Sequence, residues 1–286
     1  MGKIVIVGSG PAGCSAALYA ARAGQEVVVI SMGMGALSKA ELIQNYYGFE
    51  EGITGAELYR QGVAGAKAVG AEFITAEVVG LDYTGSLVVQ TTEGDYPADA
   101  VILATGTGRI APKIAGLAEH EGRGVSYCAT CDAFFYRGKT AAVLGSGEYA
   151  LHEVQALLPL AGKVILCTNG EPLTADFPEG VEICTEKLAA VEGEEKVSAL
   201  RLENGELLPV EGLFVALGVA GSAALARKLG APVENGRIVV DERMQTGIPG
   251  LYAAGDCTGG LLQVCKAVYE GALAATEAIK QIRGKK

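Results

Sequence analysis

The chain opens with a short apolar run from Lys3 to Val7, continues in an Ala-rich, helix-favouring stretch from Pro11 to Ala23, and returns to a β-branched run from Gln25 to Ile30. Short apolar runs bounded by glycine turns read as buried strands, and the order strand, helix, strand is a βαβ unit. The order recurs downstream as Thr140 to Leu144, a loop from Gly145, a helix through Leu160, and Lys163 to Cys167. This repetition predicts an α/β chain with two Rossmann-like three-layer nucleotide-binding domains. Pro97 to Ala104 runs into Ala104-Thr105-Gly106-Thr107-Gly108. Asn204-Gly205 and Asn235-Gly236, each between alternating residues, predict hairpins, and Thr246 to Asp256 leads into a final amphipathic helix.

The loops between these strands and helices carry the first chemistry. Gly8-Ser9-Gly10-Pro11-Ala12-Gly13 joins the first strand to its helix. In that context Gly8 makes the tight turn, Gly10 lets backbone approach a pyrophosphate, and Gly13 lets helix and strand pack closely. The helix N-terminus then offers N–H groups to phosphate. On its own such a motif could mark only a tight turn; strand and helix on either side give it weight. Gly145-Ser146-Gly147-Glu148-Tyr149-Ala150 repeats the loop in damaged form, with a carboxylate and a bulky ring at the phosphate turn.

Between the loops lies Ser126-Tyr127-Cys128-Ala129-Thr130-Cys131-Asp132, two thiols at a spacing that suits a reversible disulfide. Asp132 is placed to move the proton that thiolate chemistry requires, or alternatively to cap the following helix. The other five of the seven cysteines, Cys14, Cys167, Cys184, Cys257 and Cys265, are isolated and read as small hydrophobes, with a further role left open for Cys257 and Cys265, which lie near Asp256 and Gln263. One CxxC and two histidines, His120 and His152, give no metal-ligand spacing, so no metal site is predicted.

With 286 residues, half of them hydrophobic, the chain can bury two cores of ordinary size. A net charge of −10 argues against nucleic acid or an anionic membrane as partner. No signal peptide and no apolar run of about 18 residues is read, which predicts a cytoplasmic protein.

Together these motifs, with Glu51-Gly52-Ile53-Thr54-Gly55, Ala104-Thr105-Gly106, Gly124-Val125-Ser126-Tyr127 and Gly255-Asp256, resemble the low-molecular-weight thioredoxin reductases over nearly the whole chain. The resemblance implies an FAD domain, 1–112 and 245–286, interrupted by an inserted pyridine-nucleotide-type domain, 113–244, that carries the CxxC. It implies that FAD is held by Gly8, Ser9, Gly10, Pro11, Ala12, Gly13, Asn45, Val78, Ala104, Thr105, Gly106, Gly255, Asp256, Gln263 and Val264. It further implies that Cys131 faces the flavin, that Cys128 attacks the disulfide of thioredoxin, that Asp132 is the acid/base, and that the protein is a homodimer.

Departures from the common pattern narrow the resemblance. Where NADPH-using members carry arginines after the second strand of the insert, this chain reads Cys167-Thr168-Asn169-Gly170-Glu171. That stretch holds no arginine for a 2′-phosphate and no strand-end acid for the 2′-OH of NADH. The first unit has Ser31 where a ribose-binding acid usually stands. With Leu42 to Phe49 and Tyr149 to Glu153, the chain resembles the branch of ferredoxin-dependent flavin thioredoxin reductases, whose electrons come from ferredoxin. Ferredoxins near roughly −400 mV would reduce a thioredoxin near about −270 mV downhill by roughly 130 mV, about 6 kcal/mol for two electrons. Lys39, Arg60, Lys67, Arg109 and Lys113 are candidates, by charge alone, to dock that acidic donor. An NAD(P)H-dependent reductase and a non-enzymatic flavoprotein redox sensor are the competing readings.

Overall fold

The computed structural model describes residues 2–106, 113–218 and 220–284. In chain order its strands are β1 (Lys3–Val7), β2 (Glu26–Ser31), β3 (Glu72–Thr75), β4 (Val78–Tyr83), β5 (Leu87–Thr91), β6 (Gly94–Ala98), β7 (Ala100–Leu103), β8 (Val125–Ser126) and β9 (Thr140–Leu144). They continue as β10 (Lys163–Cys167), β11 (Glu182–Cys184), β12 (Leu188–Glu192), β13 (Ala199–Leu202), β14 (Leu207–Pro209), β15 (Gly212–Val215), β16 (Val233–Glu234), β17 (Arg237–Ile238) and β18 (Leu251–Ala253). The helices are α1 (Pro11–Arg22), α2 (Gly55–Ala68), α3 (Ala129–Asp132), α4 (Glu148–Leu157), α5 (Ser222–Lys228) and α6 (Val264–Gly284).

The chain divides into two compact units, Met1–Gly108 with Gly221–Lys286, and Arg109–Ala220. The second unit interrupts the first, and the chain returns to the first unit at Gly221, where the expected boundary was residue 245. The reason is packing: α5 lies against β4, β16 and β17. The family resemblance placed this segment in the insert, and a short helix and a hairpin carry no mark in the sequence of which sheet they cover.

In the first unit a five-stranded parallel sheet runs β18-β7-β1-β2-β3. Ile4, Val5, Ile6 and Val7 are buried, as expected of a strand covered on both faces. Alanines on α1 and α6 let the two helices approach closely: a Cβ at Gly271 would lie 2.0 Å from the Ala12 carbonyl oxygen. Ala12, Ala16, Ala17, Ala20, Ala274 and Ala278 form one core with Ile4, Ile6 and Tyr252. The segment from Pro97 to Ala104 covers the end of β6 and all of β7. β6 belongs to the antiparallel sheet β4-β5-β6, while β7 lies between β18 and β1 in the parallel one.

In the second unit a parallel sheet runs β11-β10-β9-β15-β8, accompanied by the antiparallel sheet β12-β13-β14. Ala142, Leu144, Ile165, Leu200 and Leu213 lie in its core. Both Asn-Gly pairs make hairpin turns, β13 to β14 in this unit and β16 to β17 in the first. Asn235 and Gly236 both have positive φ, 50° and 72°, which is the geometry that favours Asn-Gly there.

Candidate active site

In the first unit the loop after β1 borders a cleft of about 450 Å³. The three glycines of the loop differ in their surroundings. A Cβ at Gly8, where φ is 109°, would lie 2.4 Å from the Ala104 carbonyl oxygen, and one at Gly13 would lie 1.8 Å from that of Gly8. Gly10 faces open space, with no heavy atom within 4 Å of where a Cβ would stand. Gly10 is also the N-cap of α1 and Pro11 opens the helix, so the loop presents backbone rather than side chain to the cleft.

Gly8, Ser9, Gly10, Pro11, Ala12, Asn45, Ala104, Thr105, Gly106, Gly255, Asp256, Gln263 and Val264 all line this cleft. Gly13 supports it from behind through its contact with Gly8. Val78 does not line it; this residue is buried in β4, paired with Thr91. Asn45 Nδ2 donates to Gln263 Oε1 at 2.9 Å, which joins the two expected flavin contacts across the opening. Ser31 Oγ donates to Ser9 Oγ at 2.7 Å, and Ser9 Oγ donates to the Gly33 carbonyl at 3.2 Å, so the hydroxyl at the usual acid position ties the strand end to the glycine loop.

Three supports of this cleft were not read from the sequence. Ser222 of α5 is buried, and its hydroxyl lies 2.6 Å from Thr105 Oγ1 while its own N–H donates to that oxygen at 2.8 Å. On α6, Lys266 and Glu270 form an ion pair of 2.9 Å. Lys266 Nζ donates to the Gly255 carbonyl at 2.7 Å, and the Gly255 N–H donates to Glu270 Oε2 at 2.8 Å. They clamp the turn that holds Asp256. Burial pushes the Asp256 carboxyl above its ordinary range, opposed by the nearby Lys266 charge. The i, i+4 spacing of Lys266 and Glu270 was a legible signal for the pair, though not for its target.

Cys128 and Cys131, in the second unit, are disulfide-bonded, with Cα atoms 5.4 Å apart. Cys128 is buried and Cys131 exposed. The Cys131 N–H donates to Cys128 Sγ at 3.1 Å. Ser126 organises the approach: its Oγ donates to Asp132 Oδ2 at 2.7 Å and accepts from the Cys128 N–H at 3.1 Å. Asp132 is thereby held facing back along the motif. α4 supplies two more contacts. Tyr149 Oη donates to the Tyr127 carbonyl at 3.0 Å, and Glu153 accepts from the Ala129 N–H.

Those contacts correct one expectation. Tyr149 does not crowd the phosphate turn; its ring is buried and turned toward the CxxC. The signal was present, because Tyr149 and Glu153 are four residues apart on the face of α4 that also buries Ala150, Val154 and Leu157. The second glycine loop differs from the first in what lies over it. A Cβ at Gly147 would lie 3.0 Å from Thr174 Oγ1, and the Thr174 N–H donates to the Ser146 carbonyl at 2.8 Å. Asn169 Oδ1 accepts from the Leu188 N–H at 2.8 Å, pinning the turn after β10 onto β12.

Among the described residues no group of three or more His, Cys, Asp or Glu side chains could hold a metal ion, and no helix is long and apolar enough to cross a membrane. Cys14, Cys167 and Cys257 are buried, Cys184 is half-buried and Cys265 is exposed. Burial raises the Cys14 thiol to about 12 and the Cys257 thiol to about 11, which keeps both protonated and unreactive. Of the docking candidates, Arg60 is bonded to Glu57 and Lys67 lies over the Phe73 ring, while Arg109 lies outside the described residues.

A cleft lined by a glycine loop at a helix N-terminus on one unit and a CxxC disulfide on the other are the marks of a nucleotide-linked disulfide oxidoreductase. The family model described as pyridine nucleotide-disulphide oxidoreductase matches residues 2–271, and the chain belongs to that family. Within it, the thioredoxin reductase of Aquifex aeolicus is 35% identical over 307 residues, covering 99% of this chain and 94% of that protein. The atypical thioredoxin reductase TRi from Desulfovibrio vulgaris Hildenborough is 40% identical, with a TM-score of 0.93 and 99% of each chain covered. A ferredoxin-flavin thioredoxin reductase from Clostridium acetobutylicum is 35% identical, with a TM-score of 0.74 over 99% of this chain and 98% of that one.

Proposed function

We propose that this protein is an FAD-dependent thioredoxin reductase that takes its electrons from ferredoxin and passes them through the Cys128–Cys131 disulfide to thioredoxin. The relatives named above support the reductase activity, and the Clostridium enzyme supports the donor. The observation that carries the choice of donor is the contrast between the two glycine loops. Gly10 faces open space, whereas its counterpart Gly147 faces the Thr174 hydroxyl.

FAD fits the first unit. The Gly10 gap, the backbone of the α1 N-terminus and the Asp256 turn suit its pyrophosphate and ribityl chain, and Asn45 and Gln263 suit its ring. When bound, FAD supplies the conversion between single electrons from a donor such as ferredoxin and the electron pair that a disulfide accepts. A pyridine nucleotide does not fit the second unit, where residues 168–181 contain no arginine and Thr174 covers the loop.

Once reduced, the Cys128 thiolate attacks one sulfur of the thioredoxin disulfide and forms a mixed disulfide, releasing one thioredoxin thiolate. Cys131 Sγ then attacks Cys128 Sγ, which restores the Cys128–Cys131 disulfide and releases the second thiolate. Asp132, held by Ser126, exchanges the protons that these steps require. A cytoplasmic homodimer is the form this reading assumes.

Anaerobic visible spectra test the reading. Reduced ferredoxin is expected to bleach the flavin and sustain thioredoxin reduction, while NADPH and NADH leave the flavin oxidised. Bleaching by NADPH within seconds assigns the protein to the nicotinamide-dependent enzymes instead.

A further inference from the structure

Glu153 is a carboxylate in the core of the second unit, only 1% exposed, on the helix that follows the covered glycine loop. Burying such a group costs free energy unless it is bonded, and buried acids are rare without a partner or a task. Its Oε2 accepts the N–H of Ala129, the residue immediately after Cys128. Ala129 is itself fully buried and Cys128 nearly so, at 4%. Four residues earlier on the same helix, Tyr149 holds the Tyr127 carbonyl, the peptide group immediately before Cys128. The two side chains therefore bracket one redox cysteine from both sides along the backbone.

The geometry points to Glu153 as a positioning residue that sets the redox potential of the Cys128–Cys131 couple, its carboxylate bonded to the backbone one residue after Cys128. The disulfide is neutral, and reduction creates thiolate. A buried carboxylate nearby opposes that charge, so it favours the disulfide and makes the dithiol a stronger reductant toward a partner. Asp132 is the second carboxylate of the neighbourhood, engaged by Ser126 rather than by the Ala129 amide. The inference rests on the proposed function only in taking Cys128–Cys131 as the redox couple, and is independent of the electron donor.

The test is the potential of the couple in the full chain with bound FAD, equilibrated at pH 9 against dithiothreitol and free of ferredoxin and thioredoxin. Glu153→Gln keeps an oxygen that accepts the Ala129 N–H and removes the charge. The thiol–disulfide equilibrium is expected to move threefold to tenfold toward the dithiol, a potential about 15 to 30 mV less negative. A purely structural Glu153 predicts no shift, so a change under threefold, or toward the disulfide, overturns the inference. If the variant does not fold with FAD, infrared difference spectra of the otherwise native full chain carrying Asp132→Asn decide. A carboxylate band that shifts on reducing the disulfide supports the role, and no shift overturns it. A wild-type couple that is not reversibly reduced would refute the proposed function itself, which distinguishes the two failures.

Discussion

Thr174 lies over Gly147: its hydroxyl sits 3.0 Å from where a Cβ on that glycine would stand, and its N–H is bonded to the carbonyl of Ser146. The loop that would receive a pyrophosphate is thus engaged by the chain's own backbone. With no arginine in residues 168–181, the charged contacts to a 2′-phosphate are missing too. Each such contact contributes about 1.5–3 kcal/mol, so losing two weakens NADPH by about 100-fold or more. Stopped-flow absorbance under argon is expected to show no flavin reduction by NADPH at concentrations that saturate ordinary reductases.

Substitutions at two glycines of the first loop should separate cofactor binding from folding. Gly10→Val places a side chain in open space, so the apoprotein is expected to keep its thermal midpoint while the purified protein loses its yellow colour. Gly13→Ala drives a methyl to 1.8 Å from the Gly8 carbonyl oxygen and is expected to destabilise the fold itself, by about 1–3 kcal/mol. Absorbance near the flavin band and denaturant unfolding of each apoprotein check the pair. FMN rather than FAD released from the native protein would count against the dinucleotide reading of the cleft.

Either cysteine variant, Cys128→Ser or Cys131→Ser, is expected to abolish thioredoxin turnover. The two should differ in colour. With Cys131 retained, Cys128→Ser should show a thiolate perturbation of the flavin spectrum, and Cys131→Ser should show none. Residual activity near the native rate in either variant would remove the disulfide from the mechanism.

Asp256 gives a pH-dependent test. Burial raises its pKa in the folded state above the unfolded value, so the fold binds the proton more tightly than the unfolded chain does. Its contribution is therefore favourable below the ordinary Asp pKa, about 3.9, and is lost as pH rises through the raised folded value. Asp256→Asn is expected to leave the apoprotein at pH 7 as stable as the native chain or more so, with the advantage vanishing in acid. FAD affinity should fall at the same time. Thermal melts of the apoproteins from pH 3.5 to 8, with FAD titrations at pH 7, check both halves.

The clamp on α6 predicts a larger effect. Lys266→Met strands Glu270, which is 11% exposed, and withdraws a donor from the Gly255 carbonyl. Breaking a largely buried pair from one side costs about 3 kcal/mol. Urea unfolding is expected to show that loss, accompanied by weaker FAD retention because the Asp256 turn is released.

The parts of this protein set by short-range rules were legible in the sequence. Lys3–Val7 and Lys163–Cys167 have the expected strand bounds because an apolar run between glycine turns has few other ways to be buried. The roles of Gly8, Gly10 and Gly13 follow from local backbone geometry, and the spacing of Cys128 and Cys131 already permits their bond. The tertiary structure decided what depends on partners distant in the chain. It placed the return to the first unit at Gly221, because α5 packs on β4, over a hundred residues earlier. It turned Tyr149 and Glu153 toward the CxxC rather than toward a nucleotide, and it laid Thr174 over Gly147. A side chain's periodicity reveals that it is buried, but which neighbour it meets there is fixed only when distant segments pack together.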